Sequence, residues 1–89
     1  MTQQFRGGVA VITGAASGIG TGLARKAASL GMRLVLADVN APSLHAFAAT
    51  LDAEVLAVPT DVTQACALEA LAEQAWARFG GVDLLFNNA

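Results

Sequence analysis

Thr13-Gly14-Ala15-Ala16-Ser17-Gly18-Ile19-Gly20 follows the apolar run Val9-Ala10-Val11-Ile12 and opens a stretch with helical spacing. A buried strand, a tight glycine turn and a helix start together make an anion site. The amides of a first helical turn have no partners inside the helix. The helix dipole adds partial positive charge at the same end, and a phosphate placed there meets both. Glycine is favoured because a Cβ would block close approach and because such turns often require φ > 0. The spacing is Gly-x3-Gly-x-Gly, which differs from the G-x-G-x-x-G of the general dinucleotide fingerprint. Gly14, Ser17, Gly18, Ile19 and Gly20 are therefore the candidate phosphate-binding residues.

Outward from this stretch, apolar runs and helical patterns alternate. Residues 8–13 read as a strand apolar on both faces, and residues 18–30 as a helix with Ile19, Leu23, Ala27 and Leu30 on one stripe. Gly20 and Gly22 weaken that helix, and Gly22 reads as a close-packing position on the sheet. Gly31 reads as its C-terminal stop. Arg33–Asp38 reads as a second strand ending in a carboxylate. Asn40 caps a second helix with Pro42 in its first turn, and Leu44, Phe47, Ala48 and Leu51 form its apolar face. Residues 54–59 read as a third strand. Thr63 is the expected N-cap of a third helix, whose stripe Leu68, Leu71, Ala72, Ala75, Trp76 and Phe79 reads as core. Gly80-Gly81 stops that helix, and residues 82–86 read as a fourth strand.

The order βαβαβαβ predicts an α/β fold, a Rossmann-like doubly wound parallel sheet in its first half, with strand order 3-2-1-4. Ligands of such sheets sit outside the carboxyl ends of the strands. The glycine stretch, Asp38, Asp61 and Asn87 all fall at those ends.

Composition limits the alternatives. The chain has 89 residues, of which 55% are hydrophobic and 13% charged, and a net charge of −2. That balance suits a piece of a buried parallel sheet better than a free-standing small domain. Residues 1–89 therefore read as one incomplete dinucleotide-binding segment. The scattered basic residues leave no nucleic-acid footprint. No apolar run approaches the roughly 20 residues of a membrane span, and the first residues lack a signal-peptide core. One cysteine, Cys66, excludes an internal disulfide and fits a reducing compartment, with the cytoplasm as the default.

Asp38 ends the second strand about 20 residues past the glycines, where a carboxylate accepts hydrogen bonds from adenosine ribose hydroxyls. It would repel a 2′-phosphate, and the residues that could rescue phosphate binding, Ser17 and Val39, are not basic. NAD is therefore expected over NADP.

The Thr-Gly-x3-Gly-x-Gly spacing, the acid at Asp38 and the ending Asn87-Asn88-Ala89 together resemble the short-chain dehydrogenase/reductase family along the whole chain. The resemblance implies that Asp61 meets the adenine amino group and the Val62 amide an adenine ring nitrogen. It implies that Asn87 lies by the adenosine ribose and that Asn88 ties central strands together. It also implies hydride transfer between a nicotinamide and an alcohol or ketone, and assembly into dimers or tetramers. The family's reaction needs a Tyr-x3-Lys pair and a serine beyond the fourth strand. This chain has no tyrosine, and its only lysine is Lys26. No catalytic residue is expected here, and the chain reads as the cofactor-binding half of a longer oxidoreductase.

Two other classes compete. One is a non-catalytic nucleotide-binding or interaction module that pairs through its open sheet edge. The other is a methyltransferase, which also places glycines after its first strand; the glycine spacing and the Asn-Asn-Ala end disfavour it. His45 reads as a surface histidine with no metal partner at ligand spacing, and Cys66 as a structural thiol.

Overall fold

The computed structural model describes residues 7–61 and 64–87. Seven elements alternate: β1 (Val9–Thr13), α1 (Gly18–Ser29), β2 (Arg33–Asp38), α2 (Ala41–Ala48), β3 (Val55–Pro59), α3 (Ala65–Phe79) and β4 (Leu84–Asn87). The four strands form one sheet in the order β3-β2-β1-β4, with every neighbouring pair parallel. This is the expected Rossmann-like order.

The two-residue period of a strand divides the core. Ala10 and Ile12 of β1 and Leu34 and Leu36 of β2 face α1 and α2, packing with Ala24, Ala27, Leu44 and Phe47. Val9, Val11, Val35 and Ala37 face the other way, against Leu71, Ala75 and Phe79 of α3. β1 and the middle of β2 are thus buried on both faces, as parallel sheets require.

Element ends follow local chemistry. α1 is capped by Ser17 and stops at Leu30, after which Gly31 takes φ 82°. Asn40 accepts from the Ser43 amide to cap α2, and Gly80 ends α3 at φ 79°. β4 starts two residues later than expected and runs through Asn87. Asp83 occupies its approach: its carboxylate accepts from the Val9 amide at 2.8 Å, and its own amide donates to the Val9 carbonyl at 2.9 Å. The expected N-cap Thr63 lies outside the described residues, and Gln64, which precedes α3, makes no side-chain cap bond.

Three packing expectations are corrected. Trp76 is 61% exposed, and Leu68 and Ala72 are also exposed, so none of the three is core. Only the narrow stripe Leu71, Ala75 and Phe79 reaches the sheet. Trp76 and Leu68 lie on the flank of α3 toward β4 and line an open apolar groove of about 330 Å³ with Val11 and Leu85. Ile19, placed on the buried stripe of α1, is 71% exposed. The buried face of α1 is instead Gly20, Ala24 and Ala27. Its small side chains bring the helix axis close to β1.

The close-packed glycine is Gly20 rather than Gly22. A Cβ on Gly20 would overlap the Gly14 carbonyl oxygen and lie 2.9 Å from the Ala15 Cα, whereas one on Gly22 meets nothing within 4 Å. The obstacles at Gly20 are backbone and cannot rotate away. Gly20→Ala should therefore lower the unfolding free energy of the intact protein by about 2–3 kcal/mol. Gly22→Ala should be neutral or stabilising by up to about 1 kcal/mol. Urea unfolding midpoints check the pair, and equal effects at the two positions would refute the close approach.

Candidate cofactor site

The carboxyl end of β1 turns sharply at Gly14, whose φ of 63° is left-handed. A side chain would strain this position. The turn is closed from within by Ser17. Its amide donates to the Gly14 carbonyl at 3.1 Å and its Oγ donates to the same oxygen at 2.7 Å. The same Oγ accepts from the Gly20 amide at 3.3 Å, capping α1. Ser17, Gly18 and Ile19 are exposed, and nothing within 4 Å faces a Cβ position on Gly18. The first turn of a 12-residue helix is thus open to a ligand along its glycine edge.

Asp38 ends β2 beside this turn. One carboxylate oxygen accepts from the Ala16 amide at 3.0 Å and the other from the Asn40 amide at 2.9 Å. The Ala15 amide also donates to the Ala37 carbonyl at 3.0 Å, which extends the β1–β2 ladder into the turn. Val39 next to it is 74% exposed.

At β3, the Thr60 amide donates to the Asp38 carbonyl at 2.9 Å, and Thr60 is buried. Asp61 follows, exposed, at the same end of the sheet. Val62 and Asn88 lie outside the described residues. Asn87 closes β4 in register with Thr13, and its Oδ1 accepts from the Thr13 hydroxyl at 2.9 Å.

The structure therefore brings Gly14, Ser17, Gly18, Ile19 and Gly20 together in one turn and the first turn of α1, and joins Asp38 to it through Ala16. Asn87 joins the end of β1 through Thr13, and Asp61 lies at the carboxyl end of the sheet. Two residues that hold this arrangement carry no site role in the sequence reading. Ala16 acts through its backbone, which leaves no side-chain signal. Thr13 left one: a polar residue closing an otherwise apolar strand, here 1% exposed and hydrogen-bonded.

Charge is distributed unevenly. The described basic residues are Arg25, Lys26, Arg33 and Arg78. Arg33 begins β2 and Arg78 lies in the last turn of α3, at the opposite end of the sheet. Arg25 lies about 10 Å along the α1 axis from Gly18, over the Phe47 ring. Positive potential at the loop therefore comes from backbone amides and the helix dipole rather than from described cations. His45 is exposed, and Cys66 is exposed in the first turn of α3, without the packing role expected of a structural thiol.

The family model for short chain dehydrogenases matches residues 8–89, and the chain belongs to that family. The 1-deoxy-11-beta-hydroxypentalenate dehydrogenase of Streptomyces arenae is 49% identical over 83 residues, covering 90% of this chain and 29% of that protein. The CLA biosynthesis dehydrogenase/reductase of Lactiplantibacillus plantarum is 43% identical over 90 residues, covering 98% of this chain and 32% of that protein. Among solved structures, a short-chain dehydrogenase/reductase from Burkholderia phymatum in complex with NAD superposes with TM-score 0.89. It is 52% identical, over 91% of this chain and 30% of that one. A 3-ketoacyl-(acyl-carrier-protein) reductase from Brucella melitensis complexed with NADH gives TM-score 0.85 at 36% identity, over 91% of this chain and 34% of that one. The chain thus spans about a third of the length of these relatives.

The Thr13–Asn87 bond ties β1 to the last residue of β4. Thr13→Val should cost about 1 kcal/mol of stability. A double-mutant cycle with Asn87→Ala should return a coupling of about 0.5–1 kcal/mol. Strict additivity in chemical unfolding would show that the two side chains act independently.

Proposed function

We propose that this chain is the adenosine-binding half of an NAD-dependent oxidoreductase that moves hydride between a nicotinamide and an alcohol or ketone. The observation that carries the reading is the pairing of an open glycine loop at a helix N-terminus with the fixed Asp38 carboxylate beside it. The relatives solved with NAD and NADH support it.

In this reading the amides of Gly18 and Ile19 receive the pyrophosphate, and Gly14, Ser17 and Gly20 give the loop its shape. Asp38 accepts the ribose hydroxyls and repels a 2′-phosphate at short range. Exposed Val39 borders the adenosine, Asp61 and Val62 read the adenine edge, and Asn87 lies by the ribose. The bound dinucleotide supplies hydride chemistry. This chain's own residues bind and orient it; the sequence contains no tyrosine, and Lys26 is exposed on α1. The proton donor and the substrate contacts then belong to polypeptide following β4. The same proposal extends to a small-molecule substrate, self-association of the whole protein and a reducing, cytoplasmic setting. Among the described residues, no helix is long and apolar enough to cross a membrane.

The groove and the exposed Leu85 also favour a second reading, a nucleotide-binding module that pairs through its β4 edge without catalysis. The intact mass of the protein from its source separates the two. A mass near three times that of this chain supports the oxidoreductase, and a mass of 9.0 kDa the module. Calorimetric titration of that intact protein should give NAD at least tenfold tighter than NADP. Tighter NADP would overturn the role of Asp38 in cofactor choice, and binding of neither would overturn the nucleotide reading.

A further inference from the structure

A carboxylate offers about four lone-pair directions on two oxygens. In Asp38 one direction on each oxygen is already taken within the protein, by the Ala16 amide at 3.0 Å and the Asn40 amide at 2.9 Å. These donors belong to different connections: Ala16 to the glycine turn between β1 and α1, Asn40 to the turn that caps α2. A side chain whose only task was to receive ribose hydroxyls would need neither. Hydrogen bonds to an ionised acceptor are roughly twice as strong as neutral ones, so this carboxylate is a substantial link between the two turns. Ser17 closes the glycine turn from inside through the Gly14 carbonyl and the Gly20 amide. Asp38 grips it from the flank, at the residue immediately before that cap.

We propose that Asp38 is a positioning residue for the glycine loop: before any nucleotide arrives, its carboxylate clamps Ala16 and sets the phosphate-receiving shape at the N-terminus of α1. This rests on the nucleotide reading above and adds a second role to the ribose contact. It has a consequence for cofactor preference. Replacing Asp38 to admit a 2′-phosphate also releases the loop on which the pyrophosphate of either dinucleotide rests. Such a variant loses NAD by more than the ribose contact and gains little NADP.

Three ligands separate the roles: adenosine has ribose hydroxyls without phosphate, 2′,3′-dideoxy-ADP has phosphates without hydroxyls, and ADP has both. In the intact protein, Asp38→Ala should weaken 2′,3′-dideoxy-ADP by about tenfold. Asp38→Asn, which keeps one acceptor oxygen, should fall between. Amide exchange needs no nucleotide. Asp38→Ala should speed exchange at Ala16 while leaving the Ile12 and Leu34 amides protected. If adenosine and ADP weaken but 2′,3′-dideoxy-ADP does not, Asp38 acts through the ribose alone and the clamp is overturned. If the unmutated protein binds none of the three, the nucleotide reading fails by itself. Ala16 exchange then decides the clamp, and unchanged protection overturns it. If the alanine variant does not fold, shown by lost protection at Ile12, the same comparison is made with Asp38→Asn.

Discussion

The Gly14 carbonyl and the Gly20 Cα share a space that admits no methyl group, and the rest of the fold depends on that contact. It lets α1 lie on β1 with only Gly20, Ala24 and Ala27 between them. It also fixes where the helix begins relative to the strand end. The left-handed turn at Gly14 and the double use of the Gly14 carbonyl by Ser17 are the local means of reaching it. A wider approach would leave Ala10 and Ile12 badly covered, and in a parallel sheet both faces of the central strand must be filled. One backbone contact therefore serves the core and the opening of the helix N-terminus.

Much of this was legible in the sequence because the strands are short, apolar and bounded by strong stop signals. β2 was read to the residue, and the sheet order followed from the alternation of elements and the handedness of their connections. The errors lie where periodicity alone cannot say how wide a helix's buried face is. The stripe from Leu68 to Phe79 is continuous in sequence, yet only every fourth residue from Leu71 meets the sheet. Trp76 stands 61% exposed on the flank toward β4. Gly20 and Gly22 look alike on a helical wheel, and only the position of the Gly14 carbonyl distinguishes them.

The candidate site was legible in its side chains and hidden in its backbone. Asp38, Asp61 and Asn87 stand out in the sequence as polar residues that close or follow apolar strands, and the structure places all three at the carboxyl ends of the strands. The Ala16 amide does not stand out, since any residue but proline presents one. The same limit applied to β4: its start is set by the reciprocal bonds between Asp83 and Val9, which depend on register rather than composition.

Affinity and selectivity are assigned to different parts of the chain under the proposed function. With none of the described cations placed at the glycine turn, anion attraction comes from amides whose direction is fixed by that turn. Such donors gain by being ordered in advance, because a misdirected amide loses both its hydrogen bond and its share of the helix dipole. Selectivity falls to a single carboxylate, which must itself be held still to discriminate a hydroxyl from a phosphate. Holding Asp38 with the amide of the loop it borders meets both demands with the same two atoms. An ordered ribose acceptor and an ordered phosphate cradle are then one structural feature, and neither can be altered in sequence without disturbing the other.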